Sequence, residues 1–215
     1  MNNFFIVNNG LKLNVLTHQL DNPKAILIHL HGLHSHFQHI YPCQNDIEYR
    51  ISYFKDLSVR SFALEFSSHG KSDGLKGYIE NFDTLLSDLN QLLKYINQLY
   101  PSLPIFILGL SMGGAVAIKF LISNHQIKNI KGLILLSPMC GILEEKQPSV
   151  YLKTILDVLC YFVPTAKLIP ATHDITDNEF LQKYINCERQ NKYSYNSNIR
   201  IKTAKECFDT LNWIN

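Results

Sequence analysis

Ser111 lies in the stretch Gly109-Leu110-Ser111-Met112-Gly113, the spacing G-x-S-x-G. A strand-like apolar run, Ile105 to Gly109, leads into it, and a helix-like apolar run follows to Ser123. To lift a serine side chain clear of a sheet edge the backbone must turn sharply, and small residues at Gly109 and Gly113 keep neighbouring backbone from colliding there. The chemistry implied is nucleophilic attack on an acyl carbon. The helix start also aims free N–H groups and a positive dipole end at the reacting centre, which makes the Met112 N–H a candidate oxyanion donor. A second donor must come from another loop. The turn His29-Leu30-His31-Gly32-Leu33, after an upstream strand, offers the Leu33 N–H, with Gly32 allowing the backbone to approach.

A serine hydroxyl is a poor nucleophile until a base takes its proton. Of the nine histidines, His125 and His173 follow the serine, and Asp174 and Asp177 sit close to His173. No sheet strand fixes that region, so His173 reads as a solvated loop histidine rather than a base held within about 3 Å of the serine oxygen. His69, in the turn after another strand, is expected to make a structural hydrogen bond. His29, His31, His34, His36 and His39 form a denser set, with Cys43 nearby. A metal site usually needs three or four convergent ligands with support behind them. His31 already belongs to the oxyanion turn, so no metal and no cofactor are expected.

The elements that must position these groups follow from periodicity. Asn8-Asn9-Gly10 between two short apolar runs is a hairpin signal. Lys24 onward and Val59 to Phe66 read as buried strands, and residues 44–57 as helical. From Asn81 to Tyr100, apolar residues at Phe82, Leu85, Leu86, Leu89, Leu92, Leu93 and Ile96 mark one helix face, ended by Pro101 and Pro104. A strand at Ile130 to Ser137 follows the serine's helix. Alternating strand and helix from Lys24 to Pro138 predicts an α/β fold, a mostly parallel sheet with helices on both faces. After Pro138 the rhythm breaks, and no further strand is expected. Val150 to Pro164 is nearly apolar all round. It reads either as an acyl-chain channel or bilayer-dipping surface, or as an ordinary buried helix with Lys153 and Asp157 keeping one side wet. A last helix-like piece begins at Ile201.

Composition narrows the class. The chain has 215 residues, 46% hydrophobic and 18% charged, which suits one globular domain. A net charge of +2 with dispersed basic residues gives no reason to expect nucleic acid. The five cysteines, Cys43, Cys140, Cys160, Cys187 and Cys207, are scattered without C-x-x-C, and fit reduced thiols in a cytosolic compartment. No secretory signal pattern and no spanning apolar segment is read, so a cytoplasmic protein, not secreted, is expected.

The motifs in order resemble an α/β-hydrolase of the monoacylglycerol lipase and lysophospholipase group, related to serine aminopeptidase-type hydrolases. "HLHG" matches the oxyanion turn, "SSHGKSDG" the family's G-H-G-x-S-x-G turn, "YPSLPIFILGLSMGGAVAI" the elbow, "GLILLSP" the next strand and "YLKTILDVLCYFVP" the start of the lid. The resemblance implies a carboxylic ester hydrolase acting on a lipid-like substrate such as monoacylglycerol or lysophospholipid. Ser111 is then the nucleophile, Leu33 and Met112 the oxyanion donors, and His31, Gly32, Gly109 and Gly113 the structural turn residues. Residues 1–138 form the N-terminal part of the core, and 139–215 the lid or cap. Two departures are read. Glu65 and Ser68 stand where the family carries an aspartate and a glycine. In the family the triad acid and histidine follow strands beyond the lid, and those C-terminal strands are expected to be missing here. Three alternatives follow: one half of a split enzyme, completed by a partner chain or by self-association at an exposed sheet edge; a non-catalytic acyl-ligand or protein-binding module; or a decaying fragment. Peripheral membrane contact through the lid is the further expected partnership.

Overall fold

The computed structural model describes residues 2–37, 53–124, 128–141, 149–170, 179, 182 and 190–215. Strands β1 (Asn2–Asn8) and β2 (Leu11–Thr17) form a hairpin in which Asn8 faces Leu11. Its two turn residues, Asn9 and Gly10, both take positive φ (48° and 81°), the geometry that matches the right-handed strand twist. β3 (Ala25–Leu30), β4 (Val59–Leu64), β5 (Ile105–Leu110) and β6 (Ile130–Leu136) complete a six-stranded sheet in the order β1-β2-β4-β3-β5-β6. β2 joins β4 antiparallel, while β4, β3, β5 and β6 run parallel.

Alternation along these strands divides the interior in two. Leu13 and Val15, Ile26, Ile28 and Leu30, Phe62 and Leu64, and Ile105 and Ile107 point to one face and form the main core. Helices α1 (Phe82–Leu99), α2 (Met112–Ser123) and, from the far end of the chain, α4 (Ile201–Ile214) pack together against that face. All seven apolar positions read from the α1 sequence are buried. The opposite face carries Leu16, Phe37 and Ala63, with His29 between the rings of Phe37 and Phe54. Phe54 belongs to a helical turn at 53–56; the rest of the helix expected over 44–57 lies outside the described residues.

Beyond the sheet, α3 (Val150–Phe162) packs on α4, and two short antiparallel strands, β7 (Lys167–Ile169) and β8 (Ile199–Arg200), form a separate pair. The expectation of no strand after Ser137 is therefore corrected. Segments of three and two residues carry no alternation from which a strand can be read. α4, placed with the lid by the sequence division at 138, contributes Cys207 to the main core.

Candidate active site

Ser111 stands between β5 and α2 with φ 50° and ψ −115°, a conformation that costs a non-glycine residue about 1–3 kcal/mol. The turn is held from three sides. The Ser111 N–H donates to the Leu136 carbonyl of β6 (3.0 Å), and the Ser111 carbonyl accepts from Gly114 (2.9 Å) and Met139 (3.0 Å) N–H groups. Gly109 and Gly113 are obligatory here. A Cβ on Gly109 would lie 2.7 Å from the Gly113 carbonyl oxygen, and one on Gly113 would lie 2.5 Å from the Leu30 carbonyl oxygen. The same close approach brings the β3 turn to the serine. A Cβ built on Gly32 would sit 3.4 Å from the Ser111 Cβ and 3.9 Å from its Oγ. Met112 is fully buried at the first position of α2. Neither its N–H nor that of Leu33 bonds another group among the described residues.

His31 links this turn to the next one. Its Nδ1 lies 2.7 Å from the Gly32 carbonyl oxygen, and its Nε2 lies 3.1 Å from the Phe66 N–H. A carbonyl only accepts and a backbone N–H only donates, so the ring is the neutral Nδ1–H tautomer. Burial, together with the neighbouring His69, holds its pKa well below the ordinary histidine value. His69 is built alike: Nδ1–H donates to the Ser67 carbonyl (2.9 Å), and burial lowers its pKa to about 4. Both rings support turns and are uncharged at neutral pH, each keeping its Nδ1–H.

His29, His34 and His36 serve packing. His29 Nε2 is 3.2 Å from Ser61 Oγ, His36 Nε2 is 3.1 Å from Ser194 Oγ, and the His34 ring stacks 4.4 Å from Tyr195. Among the described residues no three metal-type side chains converge. His39, Cys43, His125, His173, Asp174 and Asp177 lie outside them. Within the described residues the Ser111 hydroxyl makes no hydrogen bond to a histidine.

A strained serine at a strand–helix turn, beside a glycine loop with an uncommitted N–H, is an acyl-transfer constellation. The family described as serine aminopeptidase, S33, matches residues 21–215. The chain belongs to this hydrolase family. Monoglyceride lipase of Rattus norvegicus is 32% identical over 141 residues, which are 66% of this chain and 43% of that protein. The Homo sapiens monoglyceride lipase is 31% identical over 117 residues, 54% of this chain and 36% of that protein. These matches span less than half the length of the curated relatives. Among solved structures, a thermostable carboxyl esterase from Bacillus coagulans superposes with TM-score 0.69 at 18% identity, covering 99% of this chain and 73% of that one. A soluble variant of monoglyceride lipase from Saccharomyces cerevisiae gives TM-score 0.72 at 15% identity, covering 97% and 67%. These superpositions show an α/β-hydrolase fold.

The first of the two departures, Glu65 and Ser68, has a structural explanation. Glu65 is fully buried and accepts from Asn14 Nδ2 (2.9 Å), the Lys71 N–H (2.7 Å) and the Phe37 N–H (3.3 Å). Desolvation raises its pKa, and those three bonds oppose the rise. Glu65 thus pins three segments, β2, the 66–72 turn and the loop after β3. Ser68 takes the glycine's conformation itself, with φ 64°. Asp88, on the apolar face of α1, is a structural support that periodicity does not reveal. It is buried and accepts from the Ser67 N–H (2.9 Å) and Asn8 Nδ2 (2.8 Å).

Beside the turn that carries Leu33 lies a cavity of about 570 Å³ with almost wholly apolar walls. Leu33 forms its floor on the sheet side, while Leu156 and Leu159 of α3 and Ile201, Phe208 and Leu211 of α4 close it. Lys153 lines it too. The wet side expected from Lys153 and Asp157 is not found as such: Lys153 is half-buried at the cavity, and Asp157 faces outward and pairs with Lys205 (2.7 Å). The outward face of α3 is instead apolar, with Tyr151 84%, Tyr161 83% and Phe162 73% exposed. No helix among the described residues is long and apolar enough to cross a membrane.

Proposed function

We propose that this chain supplies the nucleophile and the oxyanion donors of a serine hydrolase acting on carboxylic esters of lipid type, monoacylglycerol or lysophospholipid. The observation that carries the reading is the strained Ser111, its hydroxyl uncommitted and its neighbour Gly32 close enough to bring the Leu33 N–H alongside. In the reaction Ser111 Oγ attacks the ester carbon, and Leu33 and Met112 N–H groups receive the developing oxyanion. The ester C–O bond breaks, the alcohol leaves with the serine's proton, and water then releases the fatty acid from the acyl-serine. His31, Gly32, Gly109 and Gly113 hold the turns. The proton-accepting base comes from residues outside the described ones or from a partner chain paired at the β6 edge. The monoglyceride lipase relatives and the apolar cavity beside Leu33 support the lipid substrate. The exposed aromatic face of α3 suits contact with a lipid surface.

A fluorophosphonate probe tests the nucleophile. Labelling confined to Ser111 and lost in Ser111→Ala is expected of an activated serine. A second reading, a module that binds acyl ligands without turnover, is favoured by the lack of any hydrogen bond to the Ser111 hydroxyl among the described residues. It predicts fatty-acid binding with no labelling. Neither labelling nor binding would overturn both.

A further inference from the structure

We infer that Lys153 makes the cavity beside Leu33 selective for single-chain lipids with an anionic group, a carboxylate or a phosphate, over neutral ones. The inference rests on the proposed lipid site and adds to it the charge of the ligand.

α3 is inverted relative to an ordinary amphipathic helix. A packed helix turns its apolar stripe inward and its charges to water. Here Tyr151, Val158 and Phe162 are all more than half exposed, and so is Ile155, which also lines the cavity. The inward face carries Lys153 with Leu156 and Leu159. Lys153 is half-buried, and a lysine drawn even partly out of water usually has a partner, because stripping water from an ammonium is costly. No acid among the described residues offers such a pair. Asp157 and Asp209 both hold Lys205 (2.7 and 3.0 Å), and Glu206 holds Lys202 (2.7 Å). The Lys153 Nζ instead lies 4.9 Å over the ring of Phe208, itself a cavity wall. A cation–π contact of this kind leaves the ammonium's hydrogen-bonding capacity largely unused.

The cavity's size, about 570 Å³, falls within the range of roughly 300–1,000 Å³ typical of small-molecule sites. Its other lining residues carry no charge, so Lys153 alone fixes the electrostatic preference. A neutral headgroup there would leave the ammonium unpaired in apolar surroundings. An anionic group completes it with a charge-assisted hydrogen bond, stronger than a neutral one. The chain of the same ligand covers the leucine and isoleucine walls.

The test compares three ligands of one chain length below their micellar concentrations: decanoate, decanoyl lysophosphatidate and monodecanoylglycerol, titrated calorimetrically into the full chain. The quantity read is the ratio of anionic to neutral affinity. A hydrogen bond to a charged group contributes about 1.5–3 kcal/mol, so the wild-type ratio is expected to be tenfold or more. It should collapse toward one in Lys153→Met and persist in Lys153→Arg, and in the wild type it should shrink as salt is raised. Decanoate and lysophosphatidate separate the two anion sources, because preference for only one of them names the headgroup. A wild-type ratio near one, or a ratio unchanged in Lys153→Met, overturns the inference. So does failure of all three lipids to bind. Fluorophosphonate labelling of Ser111 is read separately, so a failed charge preference is distinguishable from a failed hydrolase reading.

Discussion

A Cβ at Gly113 would meet the Leu30 and His31 carbonyl oxygens at 2.5 and 2.7 Å, backbone atoms at the end of β3 and just after it. A Cβ at Gly32 would meet Ser111 and the Leu110 carbonyl oxygen, none nearer than 3.4 Å. The two glycines thus separate stability from chemistry. Gly113→Ala is expected to destabilise by about 3 kcal/mol or prevent folding, because strand or helix backbone must move. Gly32→Ala should keep its urea midpoint within the range of about 1 kcal/mol and yet slow fluorophosphonate labelling roughly tenfold, since the new methyl crowds the Ser111 oxygen. Equal loss of stability in both variants would refute this division. The histidines permit a second prediction. His31 and His69 have folded pKa values below the unfolded 6.5, so each contributes stability that is present above pH 6.5 and lost as pH falls through its folded value, about 4 for His69. Buried Glu65 and Asp88, with raised pKa values, act in the opposite sense: their contribution is present below their unfolded pKa values and lost as pH rises through the folded ones. Because the two sets oppose each other in a melting curve, the rings are better read directly. Nitrogen NMR should find both as Nδ1–H tautomers that do not titrate between pH 8 and 5. A midpoint near 6.5 for either would contradict the bonds assigned to it.

At the scale of the element, strands and helices of ordinary length were legible because burial imposes their period. The seven apolar positions of α1 all face the core. So does Asp88, which periodicity assigns to no side because charges usually face water. Only the Ser67 N–H and Asn8 amide that it satisfies explain its place, and both come from distant segments. The elbow was legible for a different reason. Sterics at Gly109 and Gly113 demand those residue types, so the sequence carries the geometry locally. The direction in which α3 turns its apolar side was not legible, because a helix apolar all round has no face to read. Which helix covers the core after α2 also depends on long-range contacts. α4 is fastened by Thr203, fully buried, whose Oγ1 accepts from the Ile79 N–H (2.9 Å) and donates to the Gly77 carbonyl (2.9 Å). Thr203→Val keeps the shape and strands both groups, so it should cost about 1–3 kcal/mol in urea unfolding, while Thr203→Ser should restore most of it. A larger loss in Thr203→Ser than in Thr203→Val would mean that the methyl group, not the hydroxyl, holds the helix.

The whole molecule ends its parallel sheet at β6, bonded on one side to β5 and to no other strand among the described residues. Ile134, Leu135 and Leu136 are 43%, 38% and 39% exposed, although β6 is as apolar as the buried strands beside it. A parallel strand with an open apolar edge is a template for pairing with another chain. The open edge also borders Ser111, since the Leu136 carbonyl holds the Ser111 N–H. A strand added parallel to β6 would therefore deliver its C-terminal loop near Ser111, two strand spacings of about 4.8 Å away. Occupancy of the edge and supply of a base are in this way one question. The chain by itself is expected to associate as its concentration is raised through the micromolar range. Leu135→Lys places a charge on the edge and should return it toward monomer in sedimentation velocity without lowering its content of secondary structure. If the wild-type chain stays monomeric over that range, self-association through β6 fails. If Leu135→Lys leaves association intact, the contact lies elsewhere, and the exposed face of α3 becomes the surface to alter next.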